Sequence, residues 1–183
     1  MAETTCPFTT DEIKLHLKVT TAADDALIAQ IMLAATTAAE HYQRRTYITR
    51  ERVYYLDAFP RIIRPPYSPL VTVEKIEYYD TNGTLQELAP ANYRKDIDTE
   101  PGRVTEAYNC TWPDTRAMTG AVIVTYTSGY GALSTNVPDD IRLAIKMMVA
   151  HFYEHRESVS PEQMYEVPMG VKDLLEMRRI YCL

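Results

Sequence analysis

The stretch DDALIAQIMLAATTAAEHYQRRTYITRERVYYL, residues 24–56, contains the change of pattern that decides the fold. In its first part, apolar residues recur at helical spacing and fall on one face of an amphipathic helix. The residues of that face are Leu27, Ile28, Ile31, Ala35, Ala38 and Tyr42. Two aspartates open this helix and Arg44 and Arg45 close it, as the helix dipole favours. From about Thr49 the period becomes two, which is typical of β-strands.

Six short runs with β-strand composition follow between about residues 48 and 131. They read RVYYLDAF, LVTVEKIEYYD, TLQEL, NYRKDI, GRVTEA and AVIVTYTSGYG. Residues 80–84, DTNGT, contain the Asn-Gly pair typical of a tight hairpin in which both central residues have positive φ. Three prolines in RPPYSP, residues 64–69, exclude that segment from a central strand. We therefore predict an antiparallel β-unit over residues 48–131.

Helical patterns lie on both sides of this β-unit. Near the amino terminus, Thr10 is placed to cap a first helix that contains DEIKLHL. After the β-unit, Pro138 suits the first turn of a third helix. The apolar stripe of that helix is Ile141, Ala144, Ile145, Met148 and Phe152. We predict an α+β fold, in which a helical bundle from both chain ends, residues 1–47 and 132–158, carries the inserted β-unit. Residues 159–183 would form a loop and a terminal segment.

Composition narrows the class of protein. The 183 residues are 46% hydrophobic and 24% charged, which fits a globular chain with a buried core and argues against general disorder. A net charge of −6 argues against a broad nucleic-acid-binding surface, because such surfaces neutralise phosphates with Lys and Arg. We expect neither a signal peptide nor a membrane span. The distant Cys6, Cys110 and Cys182 indicate a reducing cytoplasm and argue against a disulfide framework.

The strongest enzymatic signal is HFYEH, residues 151–155, which matches the inverted zinc-protease motif H-x-x-E-H. On a helix, His151 and His155 would share a face and could bind zinc, with Glu154 as the base. A third ligand would be needed downstream. The acidic residues in reach are Glu157, Glu162, Glu166, Asp173 and Glu176. The alternative, a pair of partly exposed helix histidines, is favoured because so few residues follow the motif. No nucleophile set is evident, so a structural or assembly role is favoured.

Two other features are open to a partner-binding interpretation. Most of the 14 tyrosines fall in the predicted β-unit, where they either cover the edge of the core or form a docking surface. The closing stretch EVPMGVKDLLEMRRIYCL, residues 166–183, is a short apolar helix pattern with two arginines. This segment either packs on its own domain or is kept for a partner. For Arg178 and Arg179, a partner contact and a helix-end role are both open.

The order of these motifs resembles the head–tail connector, or adaptor, family of tailed bacteriophages and gene transfer agents. The resemblance is to the branch with a β-insertion between the second and third helices, and it covers residues 11–157. The matching stretches are DEIKLHLKV, DDALIAQIMLAATTAAEHYQRRT, PPYSPLVTVEKIEYYDTNGTLQEL, YRKDIDTEPGRV, WPDT, VIVTYTSGYG and VPDDIRLAIKMMVAHFYEHRE. At the chain end, Leu174 and Leu175 fit the leucine pair of the family, whereas Arg178 and Arg179 precede Tyr181 instead of following it.

The resemblance implies a structural virion protein, made in the host cytoplasm and located in the neck, with no enzymatic activity and no cofactor. Family members form a ring, usually twelve-fold, beneath the portal protein. The ring extends the DNA channel and offers a platform to the stopper or tail completion protein. DNA would pass through without specific binding, and the net negative charge of this chain fits such a lining. No membrane is implied.

The resemblance also implies that the carboxyl-terminal segment reaches the portal. The predicted portal contacts are Leu174, Leu175, Met177, Arg178, Arg179 and Tyr181, and the predicted ring or stopper contacts are Tyr54, Tyr55, Tyr78 and Tyr79. We expect a chain without residues 170–183 to fold but not to bind portal. One alternative is a small zinc hydrolase that uses the motif at 151–155. Another is a tail-end completion protein of the same virion, which would bind the tail tube and not the portal.

Overall fold

The structure, a computed structural model, describes residues 5–155 and 169–181. Its mixed helices and antiparallel strands confirm the α+β class. The helices are α1 (Thr10–Leu17), α2 (Asp25–Gln43), α3 (Asp139–Glu154) and α4 (Met169–Glu176). The strands are β1 (Arg50–Leu56), β2 (Leu70–Tyr79), β3 (Leu85–Glu87), β4 (Tyr93–Asp96), β5 (Arg103–Glu106) and β6 (Val122–Ser128). Short 3-10 turns lie at Pro90–Asn92 and Ser134–Asn136.

The chain divides into two compact units. Residues 49–129 form one, which we call the sheet unit, and it contains all six strands. The remaining described residues form the other, which we call the helical unit, and it contains all four helices. No helix in the described part of the chain is long and apolar enough to cross a membrane.

The sheet unit has a four-stranded antiparallel sheet in the order β1-β6-β2-β3 and a separate two-stranded ribbon, β4-β5. Ile63 forms an isolated antiparallel bridge with Val104 of β5, in the ribbon. One apolar core joins the sheet to the ribbon. Its buried residues are Ile63, Leu70, Val73, Ile76, Leu88, Tyr93, Val104, Val122, Val124 and Tyr126.

The hairpin between β2 and β3 differs from the predicted tight turn. Gly83 has a φ of +83°, but Asn82 does not adopt positive φ. The carboxylate of Asp80 instead accepts hydrogen bonds from the backbone N–H groups of Asn82 (2.9 Å) and Thr84 (3.0 Å). These bonds, with Thr84 first and a further one from Gln86, hold the pKa of Asp80 below its usual value. A side-chain-organised turn has replaced the backbone conformation that the Asn-Gly pair suggested.

The helical unit starts with a capping box. Thr9 Oγ1 accepts from the backbone N–H of Glu12, and the Glu12 carboxylate accepts from the backbone N–H of Thr9. The predicted cap at Thr10 is therefore wrong by one residue, because the reciprocal bonds fix the helix start at Thr9. The core of the unit lies between the helices, with fully buried Ile13, Ile28, Ala35, Ile141, Ile145 and Val171 among its members.

The buried face of α2 is rotated relative to the predicted one. Ala38 is exposed, whereas Thr36, Glu40 and Gln43 are buried. These polar residues can be buried because each is hydrogen-bonded. The carboxylate of Glu40, for example, accepts from the backbone N–H of Tyr47 at 2.8 Å. The apolar spacing alone could not reveal a face completed by paired polar groups.

Candidate partner-binding surfaces

Residues 169–181, which we call the tail segment, pack on the helical unit. Val171 and Leu175 are buried in its core, and Ile180 is nearly as buried. The structure thereby divides the predicted portal contacts. Leu175 is inside, Leu174 is half-buried, and the exposed members are Met177, Arg178, Arg179 and Tyr181. Because this segment supplies part of the core, its burial argues against the expectation that the chain folds normally without residues 170–183.

The carboxyl end of α2 holds the tail segment through Gln43. The Gln43 side-chain N–H donates to the carbonyl oxygen of Leu175 at 2.7 Å, and the Ile180 N–H donates to the Gln43 carbonyl oxygen at 3.0 Å. The Tyr47 hydroxyl donates to Gln43 Oε1 at 2.8 Å, and burial raises the pKa of that hydroxyl well above its ordinary value. Arg45 Nε donates to the Arg178 carbonyl oxygen at 2.6 Å. The tail segment is thus fixed by backbone bonds as well as by apolar contact.

The two tail arginines also contact their own chain. Arg178 Nε lies 2.5 Å from Asp140 Oδ2, near the start of α3, and this bond raises the pKa of Arg178. The guanidinium of Arg179 lies 4.5 Å from the ring centroid of Tyr42 and 5.3 Å from that of Tyr181. Both arginines are partly exposed, so each can keep these contacts and still present charge at the surface.

Glu176 links the two tyrosines that flank Arg179. The hydroxyls of Tyr42 and Tyr181 both donate hydrogen bonds to its carboxylate. The bond to Glu176 raises the pKa of Tyr42. Beside this cluster, 78% of Met177 and 60% of Tyr181 are exposed. The tail segment therefore exposes the thioether of Met177 and the ring of Tyr181 beside a hydrogen-bonded cluster that includes Glu176.

The four predicted interface tyrosines lie on two different faces of the sheet. Tyr54 is opposite Val124 and Tyr78 is opposite Val122, so both point to the core face, where they are half-buried. Tyr55 is opposite Ile123 on the other face and is 63% exposed. Tyr79 lies two residues after Glu77, which is also opposite Ile123, and so shares that outer face. Only the outer two are positioned to meet a partner directly.

The histidine motif ends α3. Glu154 is the last helical residue and His155 follows it, with the His151 and His155 ring centroids 4.7 Å apart. Within residues 5–155 and 169–181, no three His, Cys, Asp or Glu side chains are grouped to hold a metal ion. Three of the third-ligand candidates, Glu157, Glu162 and Glu166, lie outside the described residues, whereas Asp173 and Glu176 lie in α4.

Sequence reasoning missed the residues that hold the tail segment, namely Tyr42, Gln43, Arg45 and Asp140. The apolar spacing places Tyr42 only on an apolar face, and the dipole argument places Arg45 only at the helix end. No usual sequence signal marks the turn after α2, because the left-handed residue that follows a helix is most often Gly or Asn. Here Arg44 follows α2 in a left-handed conformation, with φ of +56°, and the next residue, Arg45, is buried and donates to the tail segment.

No protein-family model matches this sequence, and no curated protein matches it. Solved structures do match, over nearly the whole chain. A chain from the neck of an empty gene transfer agent particle, computed with C6 symmetry, superposes with a TM-score of 0.80 at 27% identity, covering 97% of this chain and 91% of that one. A chain from the virion of a native gene transfer agent particle gives 0.79 at 25% identity, with the same coverage.

A third match is a chain from the neck of a native particle, computed with C12 symmetry. Its TM-score is 0.76 at 26% identity, over 95% of this chain and 89% of that chain. Both units of the present protein are included at such coverage. The protein therefore has the fold of chains from gene transfer agent particles, two of them from the neck.

Proposed function

We propose that this chain is a structural protein of a virion neck, a connector that forms a ring beneath the portal. The ring extends the DNA channel and offers a platform to the stopper or tail completion protein. The observation that carries this proposal is the match to chains of gene transfer agent particles over 95–97% of the sequence. A match of that extent includes both the helical unit and the sheet unit. The C6 and C12 symmetry of two of those structures supports a ring.

The proposed architecture is a helical bundle built from both chain ends, into which the β-unit at about 48–131 is inserted. The division of the chain at residues 49–129 supports it. In this arrangement the bundle carries the portal-binding tail segment. The β-unit carries surfaces for neighbouring copies and for the stopper.

The tail segment contacts the portal in this proposal through two kinds of residue. Met177, Arg178, Arg179 and Tyr181 are exposed and meet the partner directly. Leu174 and Leu175 anchor the helix that presents them, because Leu175 lies in the core and Leu174 packs at its margin. An exposed thioether and tyrosine next to two arginines match the composition of interface centres, where Met, Tyr and Arg are enriched.

On the sheet unit, Tyr55 and Tyr79 are the contacts to a neighbouring copy or to the stopper. Tyr54 and Tyr78 act behind them, since they pack against the core under the same strands. DNA passes through the channel without specific binding. The net charge of −6 supports this role, because a negative lining repels phosphates and does not retain them.

The test is to image particles made by cells that carry an epitope-tagged copy of this chain. Density for the tag at the neck, together with co-purification of the chain with portal, is the expected result. Particles that lack the chain would overturn the proposal. Binding to the tail tube without binding to portal would assign the chain instead to tail completion.

A further inference from the structure

The outer face of the four-stranded sheet carries an excess of negative charge. Glu51, Glu77 and Glu87 point to this face in the strand register, and Glu74 joins them by accepting from Thr127 Oγ1 at 3.0 Å. Among the residues of the four sheet strands that point to this face, Lys75 is the one cation. We call this set the acidic face. Lys95 of the ribbon reaches the margin of the face, where its Nζ lies 3.4 Å from Thr72 Oγ1.

The acidic face keeps an unfavourable pair in the isolated chain. Glu77 lies directly opposite Glu87, and like charges in that position destabilise a sheet. Lys75 Nζ lies 2.9 Å from Glu77 Oε1 and so offsets only part of this repulsion. Both glutamates would gain from a positively charged neighbour.

The same face also carries exposed apolar side chains. Val53 and Tyr55 lie on the edge strand β1, and Leu85 lies on the opposite edge strand β3. The charged residues of β2 lie between them in the strand order, so a partner on this face would meet apolar area and carboxylates together. Exposed apolar side chains on one face are typical of a protein–protein contact.

The ribbon β4-β5 has a face of opposite sign. Tyr93 and Val104 point to the core, so Arg94 and Arg103 point away from it, and both are exposed. Arg64 follows Ile63, which pairs antiparallel with Val104, and this pairing sets Arg64 beside Arg103. We call these three arginines the arginine face.

The arginine face also keeps a like-charge pair, Arg64 beside Arg103. Asp96 bonds Arg103 at 2.8 Å and offsets one charge. The other nearby acids, Asp98 and Glu100, lie in the turn beyond the strand ends, so positive charge remains over the middle of the ribbon. Because both faces point away from one shared core, they lie on different sides of the sheet unit.

We propose that two copies of this chain associate head to tail, with the acidic face of one copy docked on the arginine face of the next. A contact between two different faces leaves one of each open at the ends, so it propagates and can close into a ring. The inference rests on the proposed ring and names the surfaces that build it. Opposite charges on the two faces would relieve both like-charge pairs and fix the orientation of the copies.

The test uses charge reversal in the full-length chain. One variant reverses the arginine face, Arg64→Glu with Arg94→Glu, and another reverses the acidic face, Glu51→Arg with Glu87→Arg. A third combines all four changes and keeps the wild-type net charge of −6. Self-association is measured by sedimentation velocity over a concentration series at low salt, and thermal unfolding checks that each variant folds.

We expect the wild-type chain to associate and each two-residue variant to do so at least about tenfold more weakly. The four-residue variant should recover association, because its faces are complementary with their signs exchanged. An equimolar mixture of the two weak variants should also associate, since one presents two basic faces and the other two acidic faces. High salt should weaken all of these contacts.

A monomeric wild-type chain, or reversals that leave association unchanged, would overturn the inference. So would a four-residue variant as weak as its parents. The proposed function has a separate readout, the presence of the chain in purified particles. A chain found at the neck whose association ignores these charges refutes the inference alone, and a chain absent from particles refutes the proposed function.

Discussion

The side-chain amide of Gln43 donates a hydrogen bond of 2.7 Å to the backbone carbonyl of Leu175, joining the last residue of α2 to α4. The same side chain accepts from the Tyr47 hydroxyl. Both contacts are buried, so neither partner can turn to water if Gln43 is shortened. The Gln43 amide is thus one of the buried groups that fix the tail segment on the helical unit.

Gln43→Ala should lower the free energy of unfolding by about 2–4 kcal/mol. It removes the buried acceptor of the Tyr47 hydroxyl, leaves the Leu175 carbonyl with only the 3.4 Å bond from the Arg178 N–H, and opens a small cavity. Urea denaturation followed by circular dichroism measures the change. The matched control is Gln30→Ala, at an exposed position of the same helix, which should change stability by less than about 0.5 kcal/mol. Equal effects of the two substitutions would contradict the assigned role of Gln43.

Removal of residues 169–183 should destabilise the helical unit by about 4 kcal/mol or more. The segment buries Val171, Leu175 and Ile180, and each buried side chain of this kind contributes roughly 1.5–3 kcal/mol. The measurement is the denaturation midpoint of the shortened chain. The control lacks only residues 182–183. A shortened chain as stable as the control would show that the segment is not part of the core.

The periodicity of the sequence was sufficient to predict the class of fold. Each of the six β-rich runs contains all or most of one strand, and the stripe predicted for α3 is buried from Ile141 to Met148. Apolar periodicity succeeds here because each element is stabilised mainly by burying one apolar face. Apolar periodicity did not predict the buried face of α2 correctly, because part of that face consists of polar residues. Glu40 and Gln43 are buried only because residues outside their own helix satisfy them.

The candidate site was predictable in part. The apolar pattern of the tail segment can be read from neighbouring residues, so the sequence was sufficient to identify it. The surface on which the segment packs is formed by residues that are distant along the chain. Whether Leu175 faces a partner or its own core depends on α2 and α3, more than 20 residues away along the chain. Likewise, the two-residue period places Tyr54 and Tyr55 on opposite faces of β1, but the strand register is needed to show that Tyr54 faces the core and Tyr55 faces away from it.

Gly129→Ala should destabilise the sheet unit by about 2 kcal/mol or more. Gly129 has a φ of +139°, and a Cβ there would lie 2.4 Å from the backbone Cα of Thr49. Gly170→Ala is the matched control, because its Cβ would meet only Met147 Cε, at an ordinary 3.9 Å, within a helix. That change should be neutral or stabilise by up to about 1 kcal/mol. Thermal unfolding of both variants checks the contrast.

Asp80→Asn should reduce stability in a pH-dependent way. The hydrogen bonds from Thr84, Gln86 and Asn82 lower the pKa of Asp80 in the folded state. The carboxylate therefore contributes stability above its unfolded pKa, and that contribution is lost as the pH falls through the lowered folded value. The difference in free energy of unfolding between wild type and variant should be largest near neutral pH and should decrease toward zero as the pH becomes acidic. A difference that stays constant down to pH ~2 would contradict this role.

Met177→Ser combined with Tyr181→Ser should abolish portal binding without unfolding the chain. Both side chains are largely exposed, so their removal should change stability by less than about 0.5 kcal/mol. They are the apolar part of the proposed contact, and loss of such anchors typically costs about 2 kcal/mol or more of binding each. The measurement pairs urea denaturation with co-sedimentation of the variant on purified portal. Leu15→Ser, which alters an exposed leucine on α1, is the control and should bind portal like wild type. Normal portal binding by the double variant would mean that the tail segment is a structural element of its own unit and that another surface meets the portal.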